Sequence, residues 1–530
     1  MNLINDAWIP AIRQDGTECK IAPWQIGETE NPVIELCAPR ADFQGALYQF
    51  LIGLLQTCVA PADIDEWGEL NSEPSKPFLL REKFGAAENI FELYDEVGKP
   101  AFLQDLGLNE AEEIDIAGLL IDTPGENALK KNLDLFVKRE RVYGLCASCT
   151  SLALFTTQTN GPPIGTGYRA GMRGAGPMTT LVFPAAKSTL WQKLWLNVLD
   201  QAQYSELAAT SRDASIFPWM APTRVSDATG CITLPEDAHP LQMYWSMPQR
   251  IRLCEPTVSG DCDLCGCSTD ILYSSYRRKQ FGVDYEGAWI HPLTPYRFDL
   301  KNKIPPFSKK FQKNGLSYRY WLGLLLGDNS NGDREAKIIS DFFHSKSRYL
   351  ETEKQLQIWC FGFDLDKGKA RCWYEYNLPA FHLQSEQIIN VQVWVQQLLL
   401  AADESRYELK KRVKEALFRR PEDAKGDVSF IDTEFWEATE NDFYRLLAQL
   451  AALPADIDRA PPEIYSHWRS VLYKTILALF DRFALQTTVE DLDLKRVVKA
   501  RDSLIRKFNS TKSIKLLNEK GQVAKEVAND

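Results

Sequence analysis

Two pairs of cysteines with the same spacing carry the sharpest chemical signal in this sequence. The four residues are Cys146, Cys149, Cys262 and Cys265. Two thiolates at C-x-x-C spacing can reach one tetrahedral ion at roughly 2.3 Å, and two such pairs complete a closed zinc site. Buried free thiols and a redox pair are the alternatives, and Cys254 and Cys267 are further candidate ligands nearby. The pattern predicts a structural zinc site that leaves no coordination position for water.

A glycine-rich stretch at residues 160–176 cannot form one regular helix or strand. Its Gly165, Gly167 and Ala170 match a dinucleotide-binding pattern, but Asn and Pro residues stand where the preceding strand is required. No Gly-Lys-Ser or Gly-Lys-Thr step exists, so a P-loop ATPase is excluded. Either the stretch is a structural loop, or its backbone approaches a nucleic acid while Arg169 and Arg173 meet phosphates.

Signals of catalysis are sparse. None of the five histidines lies in an H-x-E or HExxH arrangement. Asp364 and Asp366 resemble the paired carboxylates of a metal-dependent nuclease strand. The alternative is a polar β-hairpin tip, because strand-like residues flank this point and Gly368 suits a positive φ.

The charge of the chain is acidic overall but unevenly distributed. There are 61 Lys+Arg against 72 Asp+Glu, giving a net charge of −11 at pH 7, which excludes a basic nucleic-acid coat protein. Basic clusters nevertheless occur at residues 277–279, 301–319 and 495–515. These are either solvated faces or local phosphate-facing surfaces. No secretory signal and no apolar run of about 20 residues is visible, so we expect a cytoplasmic protein without membrane contact.

The secondary-structure pattern that must position these residues changes near residues 377–385. The first part mixes short strands, long loops and a few strong helices, and the remainder follows the 3.6-residue helical period. We therefore predict an α+β protein with a mixed domain over residues 1–380 and a helical, four-helix bundle over residues 385–525. The segments with helical periodicity are 388–402, 407–418, 435–452, 464–485 and 492–507.

Several short motifs, taken in order, resemble one known family. Apart from the two cysteine pairs they are residues 8–10 (WIP), 40–43 (RADF), 48–56 (YQFLIGLLQ), 120–125 (LIDTPG), 134–139 (DLFVKR), 171–180 (GMRGAGPMTT), 253–256 (LCEP) and 289–296 (WIHPLTPY). In this order and spacing the sequence resembles the large subunit, the CasA family, of the type I-E CRISPR Cascade surveillance complex. The resemblance covers most of the first domain.

The resemblance implies a DNA-recognition subunit and not an enzyme. Members of that family read the protospacer-adjacent motif (PAM) on duplex DNA, separate the strands so that guide RNA can pair, and dock a helicase-nuclease. The implied partners are therefore guide RNA, other Cascade subunits, double-stranded target DNA and the helicase-nuclease. The cysteine pairs match the family's zinc-binding positions.

The resemblance also assigns roles to individual positions. The family's glycine-rich recognition loop falls on Pro163, Ile164, Gly165 and Thr166, next to Gly167 and Arg169. Its lysine finger falls on Gln280, directly after Arg278 and Lys279, and we expect Lys279 to supply the cation. Its strand-separating wedge falls on Asp366, Lys367 and Gly368. Its loop toward guide RNA falls on Leu135, Phe136, Val137 and Lys138. This interpretation requires the recognition loop and residues 278–280 to lie on one surface.

Two other functions stay open from the sequence alone. A metal-dependent nuclease would use Asp364 and Asp366. A zinc-stabilised scaffold would have no DNA-binding role and would show no salt-dependent affinity for duplex DNA.

Overall fold

The computed structural model describes residues 1–125, 129–131, 141–163, 165–203, 213–227, 231–256, 258–350, 355–420, 422, 427–486 and 493–527. Within these ranges the chain is a mixture of helices and short strands, which confirms the predicted α+β class. No helix in the described ranges is long and apolar enough to cross a membrane.

The strands are mostly short. In chain order they are β1 (Ile9–Arg13), β2 (Glu18–Ile21), β3 (Val33–Leu36), β4 (Glu113–Asp115), β5 (Leu145–Cys146), β6 (Thr179–Pro184), β7 (Arg250–Leu253), β8 (Val258–Asp261), β9 (Ser268–Tyr273), β10 (Ser275–Lys279), β11 (Tyr296–Arg297), β12 (Phe307–Ser308), β13 (Asp333–Arg334), β14 (Leu356–Asp366) and β15 (Lys369–Ala380). They form three-stranded sheets in the orders β2-β1-β3, β4-β10-β7, β12-β11-β13, β15-β14-β6 and β5-β9-β8.

Apart from Ala41–Cys58 and Ala147–Asn160, the α-helices are short in the first part of the chain, and those of the last part have 16 residues or more. They are α1 (Ala41–Cys58), α2 (Ile64–Ser72), α3 (Pro77–Gly85), α4 (Ala147–Asn160), α5 (Leu190–Trp195), α6 (Trp321–Leu325), α7 (Lys337–Asp341), α8 (Ser385–Leu417), α9 (Phe430–Ala451), α10 (Pro462–Ala484), α11 (Leu494–Ser510) and α12 (Lys512–Val527).

The chain divides into two units. The first comprises Met1–Lys313 and Asn329–Asn377, and the second comprises Asn314–Asp328 and Leu378–Asp530. Residues 314–328, which the sequence places in the first domain, therefore lie in the second unit. The reason is contact: the Tyr318 hydroxyl lies 2.8 Å from Thr439 Oγ1 of α9, and the Trp321 indole N–H donates to the carbonyl of Pro379.

The core of the first unit surrounds α1. This helix is buried on nearly every face, which its apolar residues on all sides explain. The Phe50 ring contacts Trp8, Phe102 and Trp245 edge to face, at centroid distances of 5.3, 5.8 and 5.9 Å. Such aromatic contacts fix the packing beneath the loops that carry the candidate site.

Two sheets of the first unit carry the residues of interest. In one, β9 pairs with β5 in the register Leu145 to Tyr273 and Cys146 to Leu272. In the other, β10 lies between β4 and β7. Because β10 follows β9 after one intervening residue, the two sheets are linked covalently at this point.

The second unit is helical, as predicted, but its helices differ in number and length from a four-helix bundle. The predicted segments 388–402 and 407–418 form one 33-residue helix, α8, because no Gly or Pro interrupts the polar residues between them. A further helix, α12, follows the break at Thr511, where ψ is 137°. Its Ile514 and Leu517 are buried.

Candidate functional site

The four predicted cysteines converge on one point. Their sulfur atoms all lie within 4.8 Å of one another, and Cys146 Sγ is 3.7 Å from Cys265 Sγ. Tetrahedral coordination with Zn–S distances of about 2.3 Å requires sulfur atoms roughly 3.8 Å apart, so the spacing fits a metal ion. Three of the cysteines are buried and Cys265 is exposed. The cluster can hold a metal ion and has the ligand set of a structural site.

Local structure explains how distant residues reach this cluster. Cys146 ends β5 and directly precedes α4, so Cys149 lies in the first turn of that helix. Cys262 follows β8 and begins a turn in which the Gly266 N–H donates to the Cys262 carbonyl. The Asp263 carboxylate accepts the N–H groups of the loop before β5, at 2.6 and 2.8 Å. The turn is therefore fastened to the opposite side of the cluster.

The electrostatics of the cluster favour a cation. Hydrogen bonds from the Cys146 and Cys149 thiols lower the pKa of Cys262. A thiolate at this position is a metal ligand, and the remaining thiols lose their protons when an ion binds. Cys267 Sγ lies 3.2 Å from Cys265 Sγ at the edge of the cluster. The four converging ligand atoms nevertheless belong to the two C-x-x-C pairs, and neither Cys254 nor Cys267 is among them.

The recognition loop and the end of β10 lie side by side. The Phe281 N–H donates to the Gly167 carbonyl at 2.7 Å, and a β-carbon on Gly167 would lie 3.2 Å from Gln280 Cβ. Gly165 and Thr166 on the loop are exposed, as are Lys279 and Gln280 beside it. These four positions therefore lie on one surface, as the interpretation requires of them.

The predicted hairpin tip adjoins the same loop. The strands β14 and β15 are joined by Lys367 and Gly368, whose φ angles of 51° and 78° make the tight turn that the sequence predicts. A β-carbon on Gly368 would lie 3.5 Å from the Pro163 carbonyl oxygen. The recognition loop therefore adjoins both the end of β10 and the hairpin tip. We call these residues together the three-loop surface: 163, 165–167, 279–280 and 366–368.

Arg278 occupies a different position from the one expected of a DNA contact. Its side chain is buried, its guanidinium donates to the Gln249 side chain, and it stacks over the Tyr168 ring at 4.8 Å. Because it is buried, this guanidinium is not presented to a phosphate of bound DNA. Arg278 instead supports the recognition loop from below, because Tyr168 directly follows Gly167.

Arg169 and Arg173 are likewise engaged by protein groups, Arg169 while partly exposed and Arg173 while buried. Arg169 donates to Ser226 and forms a 2.7 Å ion pair with Asp284. Arg173 is buried and donates to Gln49 and Thr294 at 2.7 and 2.9 Å. Burial lowers its pKa to about 10. Of the two interpretations of this stretch, these contacts favour the structural loop, in which the two arginines anchor the backbone.

The carboxylates of the nuclease alternative face an arginine. Arg371 donates two hydrogen bonds to Asp364, at 2.8 and 2.7 Å, and lies 3.6 Å from Asp366. A metal ion would have to displace this guanidinium to bind both carboxylates. The pair instead braces the hairpin below its tip.

Some predicted positions lie outside the described residues, and some contributors were not predicted. Ile164 and the loop at Leu135, Phe136, Val137 and Lys138 fall outside the described ranges. Tyr168, Gln249 and Phe281 hold the surface together, yet no sequence pattern marks them because each acts through a long-range contact. The positive φ of Phe281, 60°, is a feature that only the structure reveals.

The cysteine cluster is connected along the chain to two of the three parts of the three-loop surface. From Cys149 the chain runs along α4 to Asn160, about 17 Å at 1.5 Å per residue, and then into the recognition loop. From Cys265 it runs through β9 and β10 to Lys279. A metal ion that joins the two starting points therefore limits how the two loops can move relative to each other.

The chain is similar to proteins of one family. The family model described as CRISPR-associated protein Cse1 matches residues 2–479. Among solved structures, CasA from Thermus thermophilus superposes with a TM-score of 0.69 at 16% identity, covering 96% of this chain and 100% of that one. Cse1 from Thermobifida fusca gives a TM-score of 0.68 at 16% identity, with 96% and 98% covered. A chain of a "CRISPR RNA-guided surveillance complex" gives 0.66 at 16% identity, with 95% and 99% covered.

We expect the cysteine cluster to hold about one zinc ion per chain. Cys149→Ser should abolish that content and lower the thermal midpoint by roughly 8 °C or more, because a structural metal contributes several kcal/mol. Elemental analysis and thermal denaturation measure both effects. Cys372→Ser, which changes an exposed cysteine outside the cluster, is the matched control and should change neither. Less than half an equivalent of zinc in freshly purified protein would contradict the site.

Two neighbouring glycines should respond differently to the same substitution. Gly167 has a φ of 81°, and its added β-carbon would lie 3.0 Å from the Phe281 ring. Gly167→Ala should therefore cost about 1–2 kcal/mol. Gly165→Ala meets nothing closer than 3.5 Å and should cost less than about 0.5 kcal/mol. Denaturant midpoints of the two variants test this, and equal losses would show that the loop is not held as described.

Proposed function

Because this chain belongs to the CRISPR-associated protein Cse1 family, we propose that it is the large subunit of a type I-E CRISPR Cascade surveillance complex. In that complex it recognises the PAM on double-stranded target DNA and begins strand separation. Its partners are guide RNA, the other Cascade subunits and a helicase-nuclease that it recruits in the cytoplasm. Its role is binding and positioning and not catalysis.

The single observation that carries this proposal is the three-loop surface. Two distant parts of the chain, near residues 280 and 367, both adjoin the recognition loop there. Each part is a loop or turn with exposed residues, and one of them is a hairpin tip. Slender protrusions of this kind suit the minor groove, which is only about 6 Å wide in B-DNA.

The exposed side chains of the surface match what a minor-groove reader needs. Lys279 offers a cation, and Gln280 offers both a donor and an acceptor. The minor groove presents acceptors on every base pair and one donor, the guanine amino group. Gln280 can therefore hydrogen-bond to either kind of group, while Lys279 interacts with acceptors and phosphates. Gly165 leaves room for the backbone to approach.

The hairpin tip is the proposed strand-separating wedge. Lys367 and Gly368 project beyond the last residues of β14, and Asp366 at the base of the turn is exposed. The ion pairs from Arg371 to Asp364 and Asp366 stiffen the hairpin beneath that tip. A stiff tip can hold two strands apart while the RNA–DNA duplex, which is about as stable as the DNA duplex it replaces, forms.

The cluster of Cys146, Cys149, Cys262 and Cys265 is proposed to bind zinc for structural reasons. Four thiolates leave no open coordination site, so the ion supplies rigidity and not Lewis-acid chemistry. The chain's own residues do the recognition: Thr166 and Gln280 contact bases, and Lys279 contacts phosphate. The loop at Leu135–Lys138 is proposed to meet guide RNA, as in the family it resembles.

Lys279 and Gln280 should make separable contributions to DNA binding by the assembled complex. Lys279→Ala should weaken binding to all duplexes about equally and reduce the slope of log K against log[salt] by about 0.9, because one phosphate contact is lost. Gln280→Ala should leave that slope unchanged and reduce the preference for the PAM-bearing duplex by about tenfold. Binding titrations at several salt concentrations, over a series of PAM variants, measure both.

A surface lysine elsewhere provides the control for this pair. Lys187→Ala removes an exposed cation that lies outside the three-loop surface and should change neither quantity. If affinity for every duplex stayed unchanged in both Lys279→Ala and Gln280→Ala, the assignment of this surface would be wrong. Absence of any salt-dependent duplex binding by the wild-type complex would instead favour the zinc-stabilised scaffold.

A further inference from the structure

A fifth thiol lies beside the cysteine cluster. Cys267 Sγ is 3.2 Å from Cys265 Sγ, which is closer than the roughly 3.8 Å between two sulfur ligands of one zinc ion. Cys267 is not among the four converging ligands. Cys265 and Cys267, which we call the C-x-C pair, therefore join one ligand of the cluster to one thiol outside it.

The backbone holds the C-x-C pair at a distance from which a disulfide can form. Only Gly266 separates the two cysteines, so their Cα atoms are at most about 7 Å apart. The φ of 70° at Gly266 bends the chain and shortens this span toward the range of about 4.4–6.8 Å that disulfides bridge. A β-carbon on Gly266 would meet nothing within 4 Å, so the turn has space to adjust when the sulfur atoms bond.

The C-x-C pair is also the accessible side of the cluster. Cys265 is exposed and Cys267 is partly exposed, whereas the other three ligands are buried. The thiolate is the reactive form of cysteine, and a thiol that ligates a metal ion is deprotonated. An accessible thiolate next to a second thiol is the arrangement typical of cysteines that are oxidised reversibly.

The charges of this segment select the kind of oxidant. Residues 253–276 contain four acidic residues and no Lys or Arg. Two of these acids, Asp261 and Asp263, are exposed and flank the first ligand of the turn. They repel an anionic oxidant such as oxidised glutathione, but they do not repel hydrogen peroxide, which is small and uncharged.

We propose that the C-x-C pair is a site of reversible oxidation, at which hydrogen peroxide produces a disulfide between Cys265 and Cys267. The Cys265 thiolate attacks one peroxide oxygen, so that an S–O bond forms, the O–O bond breaks and hydroxide leaves. The Cys267 sulfur then displaces the oxygen from the resulting sulfenic acid, and the Cys267 proton leaves with that oxygen as water. The two sulfur atoms lose two electrons in total, and the peroxide takes them up.

The disulfide changes the ligand set of the cluster. It removes the thiolate at position 265, so three of the four ligands remain and hold an ion more weakly. The expected consequence is loss of zinc, which dithiothreitol reverses by reducing the exposed disulfide. This consequence rests on the proposed zinc binding, whereas the disulfide itself depends on neither zinc nor DNA recognition.

The test compares Cys267→Ser with Cys254→Ser. Cys254 is partly exposed like Cys267 but lies outside the four converging ligands and outside the C-x-C pair. Both variants keep the four ligands, so each should bind zinc and unfold like the wild type before oxidation. Each protein is treated with hydrogen peroxide, and a chromogenic chelator measures the zinc released. Mass spectrometry of proteolytic peptides locates the disulfide, and dithiothreitol with added zinc then measures recovery.

The wild type and Cys254→Ser should form the Cys265–Cys267 disulfide, release zinc and regain most of it after reduction. Cys267→Ser lacks the second thiol, so the sulfenic acid at Cys265 proceeds to sulfinic acid, which dithiothreitol does not reduce. This variant should therefore regain at least about fivefold less zinc than the wild type.

Two results would overturn the proposal. One is a peptide map in which Cys265 is joined to Cys146 or to no cysteine, and the other is equal recovery of zinc by Cys267→Ser and the wild type. Less than half an equivalent of zinc in the wild type before oxidation would instead show that the proposed metal site is wrong. The peptide map would still decide whether the disulfide forms.

Discussion

The convergence of four thiols on one point constrains everything that the first unit does. Cys146 and Cys149 belong to the start of α4, whereas Cys262 and Cys265 belong to the turn before β9. Closing the long chain between them costs conformational entropy, and burying several thiols around one thiolate is unfavourable without a cation. An ion bound by all four offsets both costs at once. The helix α4 and the strands β9 and β10 then both start at the cluster. The chain after α4 and the end of β10 come together again at the three-loop surface.

The cationic side chains near the three-loop surface are of two kinds. Some contact protein groups and support the surface, and the others are exposed to solvent. Arg169, Arg173 and Arg278 are all engaged by protein groups beneath or beside the recognition loop. Lys279 and Lys367 are the cations that stand exposed on the surface itself. The chain is acidic overall, so it offers no broad positive field to a polyanion. Under the proposed function, recognition of DNA would therefore depend on the shape of these few loops.

Local patterns in the sequence predict what depends on local physics. The turn at Lys367 and Gly368 can be predicted because few residue types adopt a positive φ readily. The convergence of the four cysteines can be predicted because the C-x-x-C spacing lets each pair reach one ion. The burial of Arg278 is not predictable in this way, since it depends on Gln249 and Tyr168, which are distant in sequence. The same holds for residues 314–328, whose place in the second unit is determined by contacts with α9. The ends of helices are only partly predictable from local sequence. The region between the two predicted segments of α8 contains no Gly or Pro, so no break occurs there.

Several residues with a positive φ lie where the three loops meet. Gly167, Phe281, Lys367 and Gly368 all have positive φ, and two of them are not glycine. Phe281 keeps this conformation because its N–H donates to Gly167 and its carbonyl accepts from Ser226, so hydrogen bonds on both sides hold it. A backbone held in this way keeps Lys279 and Gln280 in place in the folded protein. The entropy of arranging the loops is thus lost in folding, where the contacts of the buried arginines Arg173 and Arg278 offset it.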